Sequence, residues 1–414
     1  MYSSIQLTHL KSKRAAGYAP RMALFRTPSA ISVGDLYALI RKKRDLTRTE
    51  IGKLTGLSRT AVTARVRELT SRGLIVEREQ APSTGGRPAA LLSFNAGAGA
   101  VLAVAVGGSR TRLAVCNLAV DVLVAADVDQ EPGLAPADLM PTVVTRLGGL
   151  LAEAGLRGSQ VFGVGLSLPG TVDQLRGSSV DTPVLSGWDG APLIPYFREL
   201  TDAPVVLGND ANVIALAEWR AGAGRGFDDV LTIKVSTGLG AGIISGGALQ
   251  RGAICAAGEF GHNKTSAAAD QACRCGDVGC LETVAGGWAL TRLLRDEGRP
   301  VQNLRDIVAL AHTGDALARR LIRDSGRHVG EVLAAAVNLL NPAALVVGGD
   351  VAGAYDIFVA GLRETLYGNA TTLATRVLEI LPAELGDRGG VIGSAMMVLD
   401  HVLDPQAVDA LVAA

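Results

Sequence analysis

The sequence predicts an α/β protein of two similar lobes facing across a cleft, preceded by a small helical head with a β-wing. Three observations predict it. A strand, glycine turn, strand device stands at 101–118 and again about 130 residues later at 230–249, "VLTIKVSTGLGAGIISGGAL". Each copy is followed by strand and helix signals: "VFGVGLSLPGTVD" and "PVVLGNDANVIALAEW" after the first, "AALVVGGDVAG" after the second. Charge is unevenly placed: residues 1–90 hold 17 Lys and Arg against 6 Asp and Glu, and the remainder holds 23 against 34. A basic head therefore precedes an acidic body, and only the head suits a polyanion.

Length and composition bound the rest. At 414 residues and 48% hydrophobic, the chain has material for more than one core and excludes wholesale disorder. The longest apolar stretch, "VGEVLAAAVNLLNPAALVVGG", is broken by Glu331, Asn338, Asn341 and Pro342, so no membrane span is expected. The first residues are basic without an apolar core of a secretory signal, and a soluble cytoplasmic protein is the expectation. Residues 1–32 read as a basic tail with no assigned fold, and 33–95 as the head. One lobe takes 97–215 plus about 388–410, and the other takes 216–387.

The head reads as three short helices. Leu36, Leu39 and Ile40 form one apolar stripe. Thr47 and Glu50 have capping-box spacing, Ile51 and Leu54 are expected inward, Gly56 permits a turn, and Ser58 is an N-cap for the next helix. Val62, Val66 and Leu69 make that helix's buried stripe, leaving Arg59, Thr60, Thr63 and Arg67 outward. Two helices about a glycine turn form a helix-turn-helix, whose second helix enters the major groove. The following "LIVEREQAPSTGGRPAALLSF" reads as two extended runs around a tip, with Arg87 suited to a narrow minor groove. DNA binding is expected through Ser58, Arg59, Thr60, Thr63, Arg67 and Arg87, with Arg59, Thr60 and Thr63 nearest the base edges.

Five cysteines are present, and three crowd into "CRCGDVGCLE", eleven residues after His262 of "GEFGHNKT". That is a poor disulfide framework and a good tetrahedral zinc set: His262, Cys273, Cys275 and Cys280, with no position left open for catalysis. Cys116 and Cys255 read as small core residues. Asn209 and Asp210 follow a strand, where open α/β sheets bind ligands. With Glu259, His262 and Glu282 around the metal loop, they suit a polyhydroxylated ligand, and Asp210 has the chemistry of a general base.

Taken together, "GEFGHNKT" with "CRCGDVGCLE", "GNDANVIALAE", "STGLGAGII" and "LVVGGDV" resemble the ROK family (repressor, open reading frame, kinase), over about residues 35–400. The resemblance implies the actin-like fold of sugar kinases and heat-shock proteins. The winged head ending in "GGRP" resembles the family's transcription-factor branch. By resemblance, zinc sits on His262, Cys273, Cys275 and Cys280; the sugar is held by Gly170, Asn209, Asp210, Glu259, His262 and Glu282; and Asp210 is the base in active kinases. Nucleotide phosphates would meet Gly107, Gly108 and Thr237, with adenosine near Gly348 and Gly349. One departure stands out. Where family kinases read Asp-x-Gly-Gly-Thr-Lys, this chain reads Ala105-Val106-Gly107-Gly108-Ser109-Arg110, losing the carboxylate that anchors ATP-bound Mg²⁺. The expectation is a sugar-responsive regulator, of the repressing kind, binding operator DNA as a homodimer or homotetramer. The alternative is a sugar kinase carrying a DNA-binding head.

Overall fold

In a computed structural model of the chain, the described residues are 31–78, 90–131, 133–174, 176–180 and 187–413. The head comprises α1 (Val33–Lys43), β1 (Leu46–Thr47), α2 (Arg48–Thr55), α3 (Arg59–Ser71), β2 (Ile75–Arg78) and β3 (Leu91–Phe94), with its sheet in the order β1-β3-β2. Local chemistry sets the breaks. Ser32 and Asp35 close a capping box on α1, and Thr47 and Glu50 close another on α2. Gly56 ends α2 in the left-handed region at φ 71°, where a side chain would be strained. Ser58 then caps α3 by accepting from the Ala61 amide at 3.2 Å.

The first lobe runs through β4 (Ala100–Val106), β5 (Arg110–Asn117), β6 (Val122–Asp129), α4 (Pro136–Glu153), β7 (Val161–Leu168), β8 (Thr171–Asp173), β9 (Ser178–Val180), β10 (Val205–Asn209) and α5 (Asp210–Ala221). The second opens with β11 (Val230–Val235), β12 (Leu239–Ser245), β13 (Ala248–Gln250), α6 (Glu282–Ala285), α7 (Gly287–Asp296), α8 (Leu304–His312) and α9 (Ala316–Leu340). It continues through β14 (Ala344–Gly348), α10 (Tyr355–Asn369), α11 (Thr372–Thr375) and β15 (Glu379–Pro382), before α12 (Gly389–Val402) and α13 (Pro405–Ala413).

The two five-stranded sheets share one topology. Their orders are β10-β7-β4-β5-β6 and β13-β12-β11-β14-β15. In each, the first three strands form an antiparallel meander, and the last two add in parallel beside the first. Helices α5 and α12 pass between them at very short range. A Cβ at Gly165 would lie 2.1 Å from the Ser394 carbonyl oxygen, and one at Gly393 would lie 2.0 Å from that of Val213. This close backbone approach is the physical use of the body's glycine and alanine.

Head and body share one core. Leu36, Tyr37, Ile40, Ile51, Val62, Val66 and Leu69 are fully buried in the same cluster as Val101, Ala103, Ala114, Val398 and Val408 of the body. Each such Leu, Ile or Val side chain contributes roughly 1.5–3 kcal/mol by burial. Polar contacts add to the joint: the Gly34 amide donates to Asp409 at 2.7 Å, and Arg72 donates to the Val412 carbonyl at 3.2 Å. Leu54 corrects the expectation, being 55% exposed. On an eight-residue helix turned sharply at Gly56, only Ile51 reaches the core.

Candidate ligand cleft, metal centre and nucleic-acid interface

On α3, Arg59, Thr60 and Arg67 are exposed, while Val62, Val66 and Leu69 are buried. Thr63 is half-buried and its hydroxyl donates to the Arg59 carbonyl at 2.8 Å. Ser58 is exposed at the helix start, where a first turn without an acidic residue favours a phosphate. Arg87 lies outside the described residues.

The metal centre is assembled. Ligand atoms of His262, Cys273, Cys275 and Cys280 all lie within 4.8 Å of one another. The Cys275 and Cys280 sulfurs are 3.7 Å apart, and Cys273 Sγ is 3.8 Å from His262 Nδ1. Tetrahedral Zn–S bonds of ≈ 2.3 Å require edges of roughly 3.8 Å, so the donor set fits zinc in both chemistry and size. Gly276 (φ 90°) and Gly279 (φ 80°) let the loop fold back far enough for this. Lys264 donates to Cys280 Sγ at 3.3 Å. The other imidazole nitrogen of His262, Nε2, faces Glu259 at 4.0 Å, so one ring joins the metal loop to the cleft.

From Glu259 the polar chain continues across the lobes. Thr171 donates to Glu259 at 3.4 Å, and the Asn209 side chain donates to the Gly170 carbonyl at 3.1 Å. Asn209 also caps α5 through the Asn212 amide at 3.0 Å, which fixes its orientation. The fold thus brings Gly170, Asn209, Glu259 and His262 to one region. Glu282 is placed differently. It is buried, and it accepts from the Leu239 amide (2.9 Å), Arg274 (3.0 Å) and the Trp288 indole (3.0 Å). Protein donors hold this carboxylate, and Arg274, from within the cysteine-rich loop, stacks over Trp288 at 4.7 Å.

The expected phosphate end forms a cavity of about 130 Å³ lined by Ala105, Gly107, Gly108, Ser109, Ser167, Asp210, Lys234, Thr237, Arg305, Gly349 and Asp350, among others. Here the two glycine hairpins meet: a Cβ at Gly108 would stand 2.6 Å from Thr237 Oγ1. Gly348 sits in buried β14 beside Ile233, and Gly349 turns at φ 85° against the Val235 carbonyl. Position 105 brings a methyl group to this wall. Asp210 is in contact with Lys234, whose ammonium donates to it at 2.5 Å. Burial opposes the charge on Lys234, but Asp210, with Asp350 and Glu282 further off, raises its pKa above the ordinary value.

Several cleft residues escape the sequence reading: Lys234, Ser167, Arg305, Arg274 and Trp288. For Lys234 a signal exists, a single charge inside the otherwise uncharged strand "VLTIKV". The others come together only through folding.

A two-lobed, actin-like body with a Cys/His group that could hold a metal, fronted by a helix-turn-helix, is the class that this architecture defines. The chain belongs to the ROK family, whose profile matches residues 101–401, and residues 34–76 match a winged helix-turn-helix DNA-binding family. It is similar to the xylose repressor of Caldicellulosiruptor bescii, 28% identical over 371 residues, covering 86% of this chain and 92% of that one. Among solved structures it is similar to a ROK family transcriptional regulator described as a homologue of the E. coli MLC protein (26% identity, TM-score 0.75, covering 93% and 99%). A Streptomyces griseus glucokinase bound to glucose and AMPPNP is also similar (31%, TM-score 0.59), over 72% of this chain and 98% of that one. Among the described residues, no helix is long and apolar enough to cross a membrane.

Proposed function

We propose that this chain is a sugar-responsive transcriptional repressor whose kinase-like body recognises its ligand without phosphorylating it. The observation that carries the reading is the single core joining α3's helix-turn-helix to the lobe that bears Gly170 and Asn209. A ligand that alters closure of the lobes thereby alters the placement of the DNA-reading helix, with no flexible linker to absorb the motion. Operator DNA is the macromolecular partner, read by Arg59, Thr60 and Thr63 in the major groove and steadied by Ser58, Arg67 and Arg87. A homodimer or homotetramer would read a palindrome with half-sites about one helical turn, or a multiple, apart. The sugar is held by Gly170, Asn209, Asp210, Glu259 and His262, with Glu282 positioning the zinc loop through Arg274. Zinc on His262, Cys273, Cys275 and Cys280 is structural, and the protein works in the cytoplasm.

The likeness to a glucokinase supports the rival reading, a kinase with a DNA-binding head. Two features weigh against it. Ala105 gives magnesium no carboxylate, and Lys234 occupies the Asp210 oxygen that a general base would use. Genomic fragments captured by the purified protein, then titrated with pentoses, hexoses and N-acetylated hexosamines, test the proposal. One sugar class weakens operator binding while ATP·Mg²⁺ yields no ADP. Operator binding that no sugar alters, or brisk ADP release, contradicts it.

A further inference from the structure

We propose that Glu218 is the pivot of lobe closure, a positioning residue whose buried carboxylate pins the end of α5 to the segment leading into α12. The inference rests on the reading of the body as a ligand sensor and names the joint through which ligand and DNA-reading head are coupled.

The chain passes between the lobes at 222–229, from α5 to β11, and again at 383–388, from β15 to α12. The two helices beside these passages lie on different sheets. Ala211 and Ala215 of α5 lie against Gly240 and Gly242 of β12, in the second lobe. Ser394 and Val398 of α12 lie against Gly165 and Gly163 of β7, in the first. The helices meet each other through Val213, Leu216 and Met397. A rotation of one lobe on the other therefore slides α5 along α12.

Glu218, near the end of α5, is fully buried. Its carboxylate accepts from three backbone amides: Ala223 at 3.0 Å in the first passage, then Glu384 at 3.1 Å and Leu385 at 2.9 Å in the second. A carboxylate taken out of water is costly, and N–H donors held in place are what compensate it. Gly222 makes the room, since a side chain there would collide with Glu218 Oε2. On the exposed side, Arg225 reaches Glu384 at 3.8 Å and joins the same two passages again.

Both sides of this joint lead to a proposed site. Asn209 caps the N-terminus of α5, so that helix is a 12-residue lever with a sugar contact at one end and the pin near the other. Beyond Leu385 the chain enters α12, which carries Val391, Ala395, Val398 and Leu399 into the core shared with the head. Ligand cap, lever, pin and head core are thus physically continuous. The pin also has a chemical requirement. Oε2 accepts from Ala223 and Glu384 and Oε1 from Leu385, so an amide here would set an N–H against at least one N–H.

The test uses the full-length, zinc-loaded protein, a captured operator fragment, and a panel of pentoses, hexoses and N-acetylated hexosamines as probes. The quantity read is the coupling factor, the ratio of operator affinities without and with saturating sugar. Glu218→Gln lowers a parental factor of about tenfold to about twofold or less, while operator affinity without sugar and sugar affinity without operator each stay within about threefold. Hydrogen exchange at the Ala223, Glu384 and Leu385 amides becomes faster in this variant, reporting a loosened joint. Leu385→Pro, at a φ of −79° that proline adopts, deletes one donor while Glu218 stays, and lowers the factor as well. It decides the matter if Glu218→Gln fails to fold. A parental coupling factor in the folded variants overturns the pivot, and so does a fall in both affinities with the factor intact, which makes Glu218 structural only. In either case the regulatory reading survives, because the parent still couples. If no sugar of the panel couples to operator DNA in the parent, the regulatory reading fails and the pivot with it.

Discussion

The two ends of the cleft differ in what they retain. At the end proposed for the sugar, His262, Glu259, Thr171, Gly170 and Asn209 form an almost continuous run of polar contacts, tied at one extremity to the Cys/His loop and at the other to the start of α5. At the other end the glycine hairpins approach each other, but Ala105 supplies a methyl group and Lys234 holds Asp210. On the proposed reading, the difference teaches that recognition and phosphoryl transfer are separable demands on one fold. Recognition asks for donors and acceptors held in place. Transfer asks in addition for a positioned metal and a carboxylate free to take a proton.

Substitutions at each end sharpen or break this comparison. Cys280→Ser should have the largest effect, because a tetrahedral site that loses one thiolate releases both the loop and His262. We expect loss of stoichiometric zinc by elemental analysis and a melting temperature lower by about 10 °C or more, since structural zinc is worth several kcal/mol. Arg59→Ala should leave both ends of the cleft intact and weaken operator binding by roughly 1–3 kcal/mol, read by fluorescence anisotropy. Sugar affinity measured on the free protein should not move.

Asn209→Ala should weaken sugar binding by about 1–2 kcal/mol in calorimetry, because it removes one half-buried amide and loosens the cap of α5. Operator affinity without sugar should stay near the parent value. The smallest effect is expected of Ala105→Asp combined with Lys234→Ala, which gives the phosphate end a metal-binding carboxylate and frees Asp210. Mg²⁺-dependent ADP binding should tighten several-fold over either single variant. Equal behaviour of all three would mean that the two positions do not act on the same ligand.

Much of this arrangement is legible in the sequence because short-range chemistry sets it. Thr47 with Glu50, Gly56 and Ser58 specify the turn of the head through caps and a left-handed backbone. The repeated strand-glycine-strand pattern yields two sheets of one topology. The spacing of His262, Cys273, Cys275 and Cys280 brings four donors together. What is not legible depends on long-range register. Ser167 reaches the cavity only because β7 places it beside Ala105 of β4. Glu282 reads as a ligand carboxylate until Arg274 and Trp288 are seen to share one of its oxygens and the Leu239 amide to take the other. Leu54 looks apolar and inward by spacing, yet an eight-residue helix offers the core too little face to bury it. The head's fusion to the body through Val398 and Val408 likewise has no local signature, since those residues come from helices more than 300 positions away.

Sugar affinity measured by calorimetry with and without saturating operator DNA tests the central claim most directly. A body that senses and a head that reads, joined through one core, must be coupled reciprocally. The account predicts that operator DNA weakens sugar binding by the same factor by which sugar weakens operator binding, with no ADP formed when ATP·Mg²⁺ is added. Identical sugar affinity in the two conditions, or steady conversion of the sugar to its phosphate, would contradict it.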